Sequence, residues 1–368
     1  MKLIAALLLS FASLAATAAP WREVSSPDLA REMAPGWNLG NSLEATGSET
    51  AWGNARTTKP LIAAVKAAGF KSIRIPVAWK QYTDAQGRIK ADWLARVTEV
   101  VGWAREAGLI VMINIHWDGG WMQPTAQRQD EVNQRLALYW TQIAEHFKDH
   151  DEGLLFAGTN EVMVEHDYSR PKAEYVIAQN SFNQTFVTTV RATGGNNPRR
   201  HLVVQGFNTN IDHTVDFAVL PKDRTPGRLM MEVHFYDPYE FTLQNEGNVW
   251  QWGRGATDAK VKANWGDEDH VDKQFDKMKT HFIDRGVPVI LGEYGVVARP
   301  KQPGAARYRV DWNAYVTRSA HQRGLVPVYW DNGVYGKPEG FAIFDRATGK
   351  VLDVDLLKAI VGAVVLAR

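Results

Sequence analysis

Two glutamates stand directly after short apolar runs, at the positions where buried strands would end. Glu161 follows Asn160 shortly after the run Leu154–Ala157, and Glu293 follows the run Val287–Gly292. When two carboxyl groups lie close together, repulsion separates their pKa values, so that one is protonated while the other is ionised. Such a pair combines acid catalysis with an anionic partner, and the hydrolysis of glycosidic bonds depends on it.

Further polar side chains occupy similar positions near the ends of apolar runs: Arg74, His116, His234, Tyr236 and Trp330. We expect Arg74 to keep Glu293 anionic and Tyr236 to donate a hydrogen bond to it. Asn160, beside Glu161, is placed to bind a sugar 2-hydroxyl. For the two histidines, hydrogen-bonded packing beneath the site is an equally good interpretation. They lack the HExxH spacing of a zinc site, and the sequence predicts neither a metal nor a cofactor.

These side chains need a scaffold that brings the ends of strands together. Short apolar runs alternate with amphipathic segments along the chain, and eight runs are predicted as strands: Gly36–Asn41, Ser72–Val77, Leu109–Ile115, Leu154–Ala157, Leu202–Gln205, Leu229–His234, Val287–Gly292 and Val326–Trp330. Such alternation indicates a parallel sheet covered on both faces. Eight units predict an α/β fold of the (β/α)8 TIM-barrel type, in which the carboxyl ends of the strands face the active site.

The competing fold is a doubly wound open sheet, which more often carries a glycine-rich phosphate turn after its first strand. The first predicted strand, Gly36–Asn41, contains no GxGxxG pattern, which favours the barrel. The connection from Asp237 to His270 is long, and long loops in compact domains are usually functional. We therefore expect this connection to cover the active-site face.

The amino-terminal segment has the layout of a secretory signal peptide. Lys2 precedes an apolar run, Leu3–Leu14, and small residues follow at Ala16–Ala18. The pattern predicts cleavage near Ala18 and a secreted protein, extracellular or periplasmic. The alternative is a buried amino-terminal helix. Residues 19–368 then form a single catalytic domain, since no linker or low-complexity run interrupts them.

Charge and cysteine content exclude several classes of function. The chain has 42 Lys plus Arg against 41 Asp plus Glu, and this balance gives no reason to expect a nucleic acid or an anionic membrane as partner. The absence of cysteine excludes thiolate zinc sites and a thiol nucleophile. A neutral polysaccharide substrate and a monomeric protein are the expectations.

Tryptophan is frequent, with 14 residues. Four tryptophans lie in glycine-rich or polar stretches that are typical of loops: Trp121, Trp250, Trp252 and Trp265. An indole ring offers a flat apolar face against which the C–H face of a sugar can stack. Packing in the core is equally compatible with each of them. Trp121 is the one that we expect to contact the substrate.

Taken together, the motifs resemble those of glycoside hydrolase family 5, the large cellulase family. The resemblance runs in order from about residue 30 to the carboxyl terminus and rests on Trp37-Asn38-Leu39-Gly40-Asn41, Arg74-Ile75-Pro76, Asn114-Ile115-His116-Trp117, Asn160-Glu161, His234-Phe235-Tyr236, Gly292-Glu293-Tyr294-Gly295 and Tyr329-Trp330. Each motif is short, but their shared order makes the signal specific. Val162 stands where the family often has proline, and Phe156–Thr159 also departs from its pattern.

The resemblance implies a (β/α)8 barrel and a retaining double displacement without a cofactor. It implies that Glu161 is the acid/base and Glu293 the nucleophile. It also implies that the cleavage subsite is lined by Arg74, His116, Asn160, His234, Tyr236 and Trp330. The segments 234–242 and 330–333 look like those of endoglucanases, which favours a β-1,4-glucan substrate. Xyloglucan, mixed-linkage glucan and mannan are the alternatives.

Two other classes of protein compete with this interpretation. A non-catalytic carbohydrate-binding barrel would have lost one of the two glutamates, and both are present. A metal-dependent hydrolase or an aldolase would need a metal cluster or a Schiff-base lysine at a strand end. Lys80 follows the second predicted strand, but the polar turn after it indicates a surface position. Asp118, Asp237 and Asp331 are candidates for shaping subsites or, equally, for capping turns.

Overall fold

Eight short parallel strands close into a barrel in this computed structural model, which describes residues 21–365. Each strand pairs with its neighbours in chain order, and β8 pairs with β1. The strands are β1 (Gly36–Leu39), β2 (Ser72–Ile75), β3 (Ile110–Asn114), β4 (Leu154–Ala157), β5 (Leu202–Gln205), β6 (Leu229–Phe235), β7 (Val289–Tyr294) and β8 (Val326–Asp331). The predicted (β/α)8 barrel is confirmed. The predicted signal peptide lies outside the described residues.

Helices surround the barrel and connect its strands. Among the described residues they are α1 (Ser26–Met33), α2 (Lys59–Ala67), α3 (Ala91–Glu106), α4 (Gln129–His146), α5 (Ala173–Ala192), α6 (Ile211–Phe217), α7 (Tyr239–Thr242), α8 (Glu268–His281), α9 (Ala305–Gln322) and α10 (Val354–Val365). None of them combines the length and the apolar character that crossing a membrane requires.

Four helical segments were not predicted from the sequence. Helix α1 precedes the barrel, α6 follows β5, α7 follows β6, and α9 extends the helix expected over Trp312–Arg323 back to Ala305. Helix α6 spans only seven residues, too few for a clear periodic pattern. The first turns of α9 alternate arginine with small or apolar residues, and Arg307 is exposed there. Helices α6 and α7 and the first turns of α9 carry little apolar periodicity, the signal from which helices are predicted. Helix α1 does have Leu29 and Met33 on one buried face, but it spans only eight residues.

The barrel interior changes from apolar to polar along the strands. At its amino-terminal end, Leu29 and Met33 of α1 join a cluster with Leu155, Met230 and Ile290, so α1 closes that end. Because strand side chains alternate between faces, alternate residues of each strand point into the barrel. Toward the carboxyl ends, the interior positions are polar and buried, as at Asn38, Arg74, Asn114, Glu232 and His234. The carboxyl end of the barrel therefore holds the polar side chains that can take part in catalysis.

Candidate active site

Glu161 and Glu293 meet at the polar end of the barrel, as their positions after β4 and in β7 predicted. One carboxylate oxygen of each and a ring nitrogen of His234 all lie within 4.8 Å of one another. The Glu293 side chain is 7% exposed, whereas that of Glu161 is 42% exposed. One carboxyl group is thus buried in the barrel, and the other faces the open mouth.

The backbone at Glu161 is held in a conformation that non-glycine residues rarely adopt. Its φ is 46°, in the left-handed region that costs an ordinary residue on the order of 1 kcal/mol or more. Its backbone N–H donates to the side chain of Gln205, with an N–O distance of 3.1 Å, and the next residue, Val162, is buried. The contact from β5 and the buried neighbour hold the strained turn that presents Glu161. The departure from the family pattern at residue 162 leaves this geometry intact.

A β-bulge aims Glu293 into the barrel. Val233 pairs with Leu291, but His234 pairs with Glu293, so Gly292 is an extra residue in β7. A bulge interrupts the alternation of side chains, and both Gly292 and Glu293 consequently face inward. A Cβ atom on Gly292 would lie 2.1 Å from Oε1 of the buried Glu232. Only glycine fits at the bulge.

Replacing Gly292 with alanine is therefore expected to reduce the free energy of unfolding by about 1–3 kcal/mol, the usual cost of overpacking. Activity should fall as well, because the added methyl group displaces Glu232 or Glu293. Denaturant unfolding and hydrolysis rates measure the two effects. Gly102→Ala in α3 is the matched control, since nothing lies within 4 Å of its added Cβ. A Gly292→Ala variant as stable as the control would contradict this account of the bulge.

Glu293 is fixed by two donors that had been expected to reach it. Arg74 Nη1 donates to its Oε1 at 2.9 Å, and the Tyr236 hydroxyl donates to its Oε2 at 3.1 Å. Arg74 also donates to Asn38 and to Asn160, so its guanidinium joins β1, β2, β4 and β7. Burial raises the pKa of Glu293 above its usual range, against the opposing charges of His234 and Arg74.

Glu161 shares a short hydrogen bond with His234. Nδ1 of the ring lies 2.6 Å from Glu161 Oε1 and 3.7 Å from Glu293 Oε2. Burial lowers the pKa of His234, but Glu293, Glu161 and Glu232 outweigh it and raise the pKa to about 9. Burial raises the pKa of Glu161, and the hydrogen bond and charge of His234 reverse that, so the net direction is downward. In the free protein the proton between them belongs to the pair rather than to one residue.

His116 and Trp330 form the opposite wall of the site. Their rings are parallel to within 6°, with centroids 5.9 Å apart. Burial, together with the charges of Arg74 and His234, holds the pKa of His116 well below its usual range. A neutral imidazole therefore faces the mouth beside a half-buried indole. A Cβ atom on Gly40 would lie 2.8 Å from the indole of Trp330, which explains the glycine in the motif after β1.

The prediction that Trp121 contacts the substrate is wrong in this structure. Trp121 is 3% exposed, its indole N–H donates to Asp118 at 2.9 Å, and Tyr139 packs edge-on against it. Asp118 also accepts hydrogen bonds from the backbone of Trp79 and Lys80. The loop after β3 folds down, and the buried carboxylate holds the ring in the core rather than presenting its face.

Other aromatic side chains are exposed on the connections that follow the strands. Of the loop tryptophans considered from the sequence, Trp252 is buried, Trp250 is half-buried and Trp265 is 39% exposed. Five further rings, which were not predicted as substrate contacts, are exposed on these connections: Trp52, Trp117, Tyr168, Tyr239 and Tyr335. A cleft of about 420 Å³ opens beside Glu161, lined by Trp117, Met122, Gln123, Met163 and Tyr168.

Asp331 and Asp237 serve structural contacts. Asp331 is fully buried, accepts the indole N–H of Trp37 and pairs with Arg346. Asp237 pairs with His270 at 2.8 Å. For Asp118 and Asp331, the interpretation as capping residues is the one that the structure supports. Lys80 is exposed, as its polar turn had indicated.

Within residues 21–365, one group of side chains has the composition of a metal site: Glu161, His234 and Glu293. Arg74 already places a fixed positive charge 2.9 Å from Glu293, and His234 bonds directly to Glu161. The three side chains thus find their charge and hydrogen-bond partners in one another and in Arg74, and they form an acid–base cluster.

Two buried residues of the site were not anticipated from the sequence. Gln205 holds the backbone of Glu161, and Glu232 lies beneath His234. The signal for Glu232 was available, since a glutamate interrupts the apolar run of β6 two residues before His234 and therefore on the same face. A search for polar residues at strand ends passes over such an internal position.

Comparison with known proteins agrees with this geometry. The chain matches the family described as Cellulase (glycosyl hydrolase family 5) over residues 38–336. Endoglucanase A of Paenibacillus barcinonensis is 39% identical over 368 residues, covering 94% of this chain and 92% of that protein.

Solved structures are similarly close. A Bacteroides ovatus GH5 xyloglucanase in complex with a XXXG heptasaccharide superposes with a TM-score of 0.88 at 39% identity, covering 93% of this chain and 77% of that one. A GH5-4 broad specificity endoglucanase from Bacteroides salanitronis gives 0.87 at 39% identity, covering 97% and 99%. With a barrel, a glutamate pair and a family match over most of its length, the chain belongs to glycoside hydrolase family 5, the cellulase family.

Proposed function

We propose that the protein is a retaining endo-β-1,4-glucanase, with Glu161 as general acid/base and Glu293 as nucleophile. One observation carries the proposal: an oxygen of each carboxylate lies within 4.8 Å of the other. Retaining enzymes hold their carboxyl groups about 5–5.5 Å apart, whereas inverting enzymes leave about 6.5–9.5 Å for a water molecule. The short approach supports attack by a carboxylate rather than by water.

In the first step, Glu293 attacks the anomeric carbon and forms a covalent glycosyl ester. The proton of Glu161 passes to the glycosidic oxygen, and the C–O bond to the leaving sugar breaks. Arg74 and Tyr236 hold the attacking carboxylate in place through the two contacts at 2.9 and 3.1 Å. A side chain with two fixed oxygens loses little entropy when it attacks.

In the second step, Glu161 takes a proton from water, and the resulting hydroxide displaces Glu293 from the sugar. The product keeps its β configuration, and the proton returns to the acid/base. The half-exposed Glu161 side chain is accessible to water from the mouth. Asn160, His116 and Trp330 are proposed to bind the sugar in the cleavage subsite, and no cofactor is needed.

The proposed substrate is a cellulose-type β-1,4-glucan, and xyloglucan is the second candidate. The open mouth with exposed rings on several connections supports binding along an internal stretch of a chain, since each ring can stack against one sugar. Xyloglucan is favoured by a specific observation, the cleft beside Glu161, which could receive a side-chain sugar. The relative solved with a XXXG heptasaccharide supports the same possibility.

Hydrolysis of carboxymethyl-cellulose, mixed-linkage glucan, xyloglucan and mannan tests the proposal. We expect release of reducing ends from the glucans, together with a rapid fall in viscosity because internal bonds are cut. Activity on mannan alone would be consistent with the proposed mechanism but would show that the proposed glucan substrate is wrong. No activity on any of the four would favour a non-catalytic carbohydrate-binding barrel.

We also propose that the protein is exported after removal of residues 1–18 and acts as a monomer outside the cytoplasm. The apolar run Leu3–Leu14 followed by small residues supports export. The mass of the protein recovered from the periplasm or the medium tests both statements, by intact-mass spectrometry for the cleavage and by light scattering for the monomer. An uncleaved chain would overturn the proposed removal of residues 1–18, and the mass of a dimer would overturn the proposed monomer.

A further inference from the structure

A buried glutamate that the double displacement leaves without a role lies at the centre of the barrel. Glu232 of β6 is fully buried, and it points inward between Met230 and His234 because alternate residues share a face. Its removal from water is costly unless charged or polar partners compensate for it. The contacts of the Glu232 carboxylate must therefore compensate for its loss of hydration.

Two close contacts of Glu232 belong to groups that reach the proposed catalytic pair, and Gln205 is a third hydrogen-bond partner. Its Oε1 lies 2.9 Å from Nε of Arg74 and 3.2 Å from Nε2 of His234. Arg74 in turn bonds to Glu293, and His234 bonds to Glu161 through Nδ1. Glu232 is thus one partner away from each carboxyl group and has no exposed surface at the mouth.

The ring of His234 has a carboxylate at each nitrogen. A neutral imidazole donates from only one nitrogen, and the hydrogen bond made there decides which tautomer exists. Glu232 at Nε2 favours a proton on Nε2, and Nδ1 is then the nitrogen that exchanges a proton with Glu161. The 2.6 Å separation between Nδ1 and Oε1 is short enough for direct transfer.

We propose that Glu232 is a positioning residue that keeps the proton of the general acid available, by fixing His234 so that Nδ1 and Glu161 share one proton. The inference rests on the proposed function. The buried carboxylate stays ionised throughout and keeps its hydrogen bond from Nε2. The pair of His234 and Glu161 is the unit that supplies the acid and later restores it.

The protons balance over both steps. Before cleavage, the Nδ1–H bond of His234 breaks and an O–H bond forms on Glu161, which leaves His234 neutral with its Nε2 proton. Glu161 then turns its protonated oxygen to the glycosidic oxygen, which its half-exposed side chain permits. After cleavage, the proton taken from water returns to the pair, and no proton is gained or lost over the cycle.

Other charged groups near His234 favour the same arrangement. Glu293 of β7 lies 3.7 Å from Nδ1 and favours a proton there. Arg74 of β2 opposes it, but Glu232 faces its guanidinium and offsets its charge. His116, two residues after β3, is held neutral by burial, and Tyr236 stays protonated because burial holds its pKa well above the usual range. Of these, Glu232 alone touches Nε2.

The test compares Glu232→Gln with the wild type on two substrates. A cello-oligosaccharide needs the acid for its leaving group, whereas 2,4-dinitrophenyl β-cellobioside does not, and kcat/KM reports only the glycosylation step for both. We expect kcat/KM for the oligosaccharide to fall about 100-fold, within the range attributed to general acid catalysis. The value for the dinitrophenyl substrate should change less than about fivefold. The basic limb of the oligosaccharide pH profile should move roughly one unit or more to lower pH, because a stabilising negative charge is lost.

Glu49→Gln is the matched control, since Glu49 is another buried carboxylate paired with an arginine, Arg96, but it lines a different pocket from that of Glu161. Its ratio between the two substrates and its pH limbs should equal those of the wild type. An equal loss on both substrates in Glu232→Gln would overturn the proposal and indicate that Glu232 acts on Glu293 through Arg74. A wild type that cleaves neither substrate would instead reject the proposed function.

A measurement on the wild type covers the case in which Glu232→Gln does not fold. In protein labelled with ¹⁵N-histidine, the resonances of His234 can be assigned by their absence from His234→Asn. We expect an imidazolium at neutral pH that becomes a neutral ring protonated on Nε2 as the pH rises. A neutral ring that carries its proton on Nδ1 would overturn the proposal.

Discussion

Alanine in place of Glu293 is expected to lower turnover of glucans by at least about 10⁴-fold, because the covalent intermediate cannot form without the attacking carboxylate. The fold should persist, since only two hydrogen bonds are lost and Arg74 retains Asn38, Asn160 and Glu232. Rates on the preferred glucan and a thermal unfolding curve measure the two statements. Glu145→Ala, on the exposed surface of α4, is the control and should match the wild type in both.

A small anion makes the test of Glu293 more specific. In the alanine variant, azide can enter the space left by the carboxylate and attack the anomeric carbon of an activated β-glycoside directly. One displacement inverts the centre, so the product should be an α-glycosyl azide. Near-native activity of the variant without azide would show that the role has been assigned to the wrong residue. A β-glycosyl azide would show that another residue still forms the covalent intermediate.

Alanine in place of Glu161 is expected to give a loss that depends on the leaving group. For a glucan, whose departing oxygen needs a proton, kcat/KM should fall by about 10²–10⁴-fold. For a dinitrophenyl glycoside, which leaves as a stable anion, kcat/KM should stay within about tenfold of the wild type, because Glu293 can still attack. Turnover of that substrate should nevertheless be slow, since no base remains to activate water for the second step.

Azide distinguishes this variant from the first. It can attack the accumulated glycosyl ester, and two displacements retain the configuration, so a β-glycosyl azide is expected with a faster turnover. The basic limb of the pH profile should also disappear, because the proton shared by Glu161 and His234 is lost. A loss of the same size on both substrates would contradict a role in protonating the leaving group.

The fold could be predicted from the sequence where burial is uniform. A strand of a parallel barrel is covered on both faces, so its sequence is a continuous apolar run. The strands Leu154–Ala157 and Leu202–Gln205 were accordingly predicted with the bounds that the structure has. Gly69 and Gly324 adopt positive φ just after α2 and α9, and a glycine at such a position is a helix-end signal that the sequence carries. Helices α1 and α6 span only eight and seven residues, too few for a clear periodic pattern, and their positions depend on packing against the barrel.

The site could be predicted where strand order alone decides the position. Arg74, Glu161, His234 and Glu293 lie at or near the carboxyl ends of their strands, and a closed parallel barrel brings those ends together whatever the loops do. The sequence also placed Arg74 and Tyr236 beside Glu293, and the structure has both contacts. Trp121 shows the limit of this reasoning, because a residue in a loop can face the mouth or the core.

The sequence by itself determined the barrel, the ring of polar strand ends and the meeting of Glu161 with Glu293, since these follow from the order of buried strands along the chain. Only the tertiary structure decided the inward direction of Glu293, which depends on the extra residue Gly292 in β7, and the burial of Trp121 by Asp118. It also decided the contact between Glu232 and His234. The physical reason is that the local pattern of apolar residues shows which segments are buried. Hydrogen bonds between charged groups depend instead on the distances between strands that are far apart in the chain.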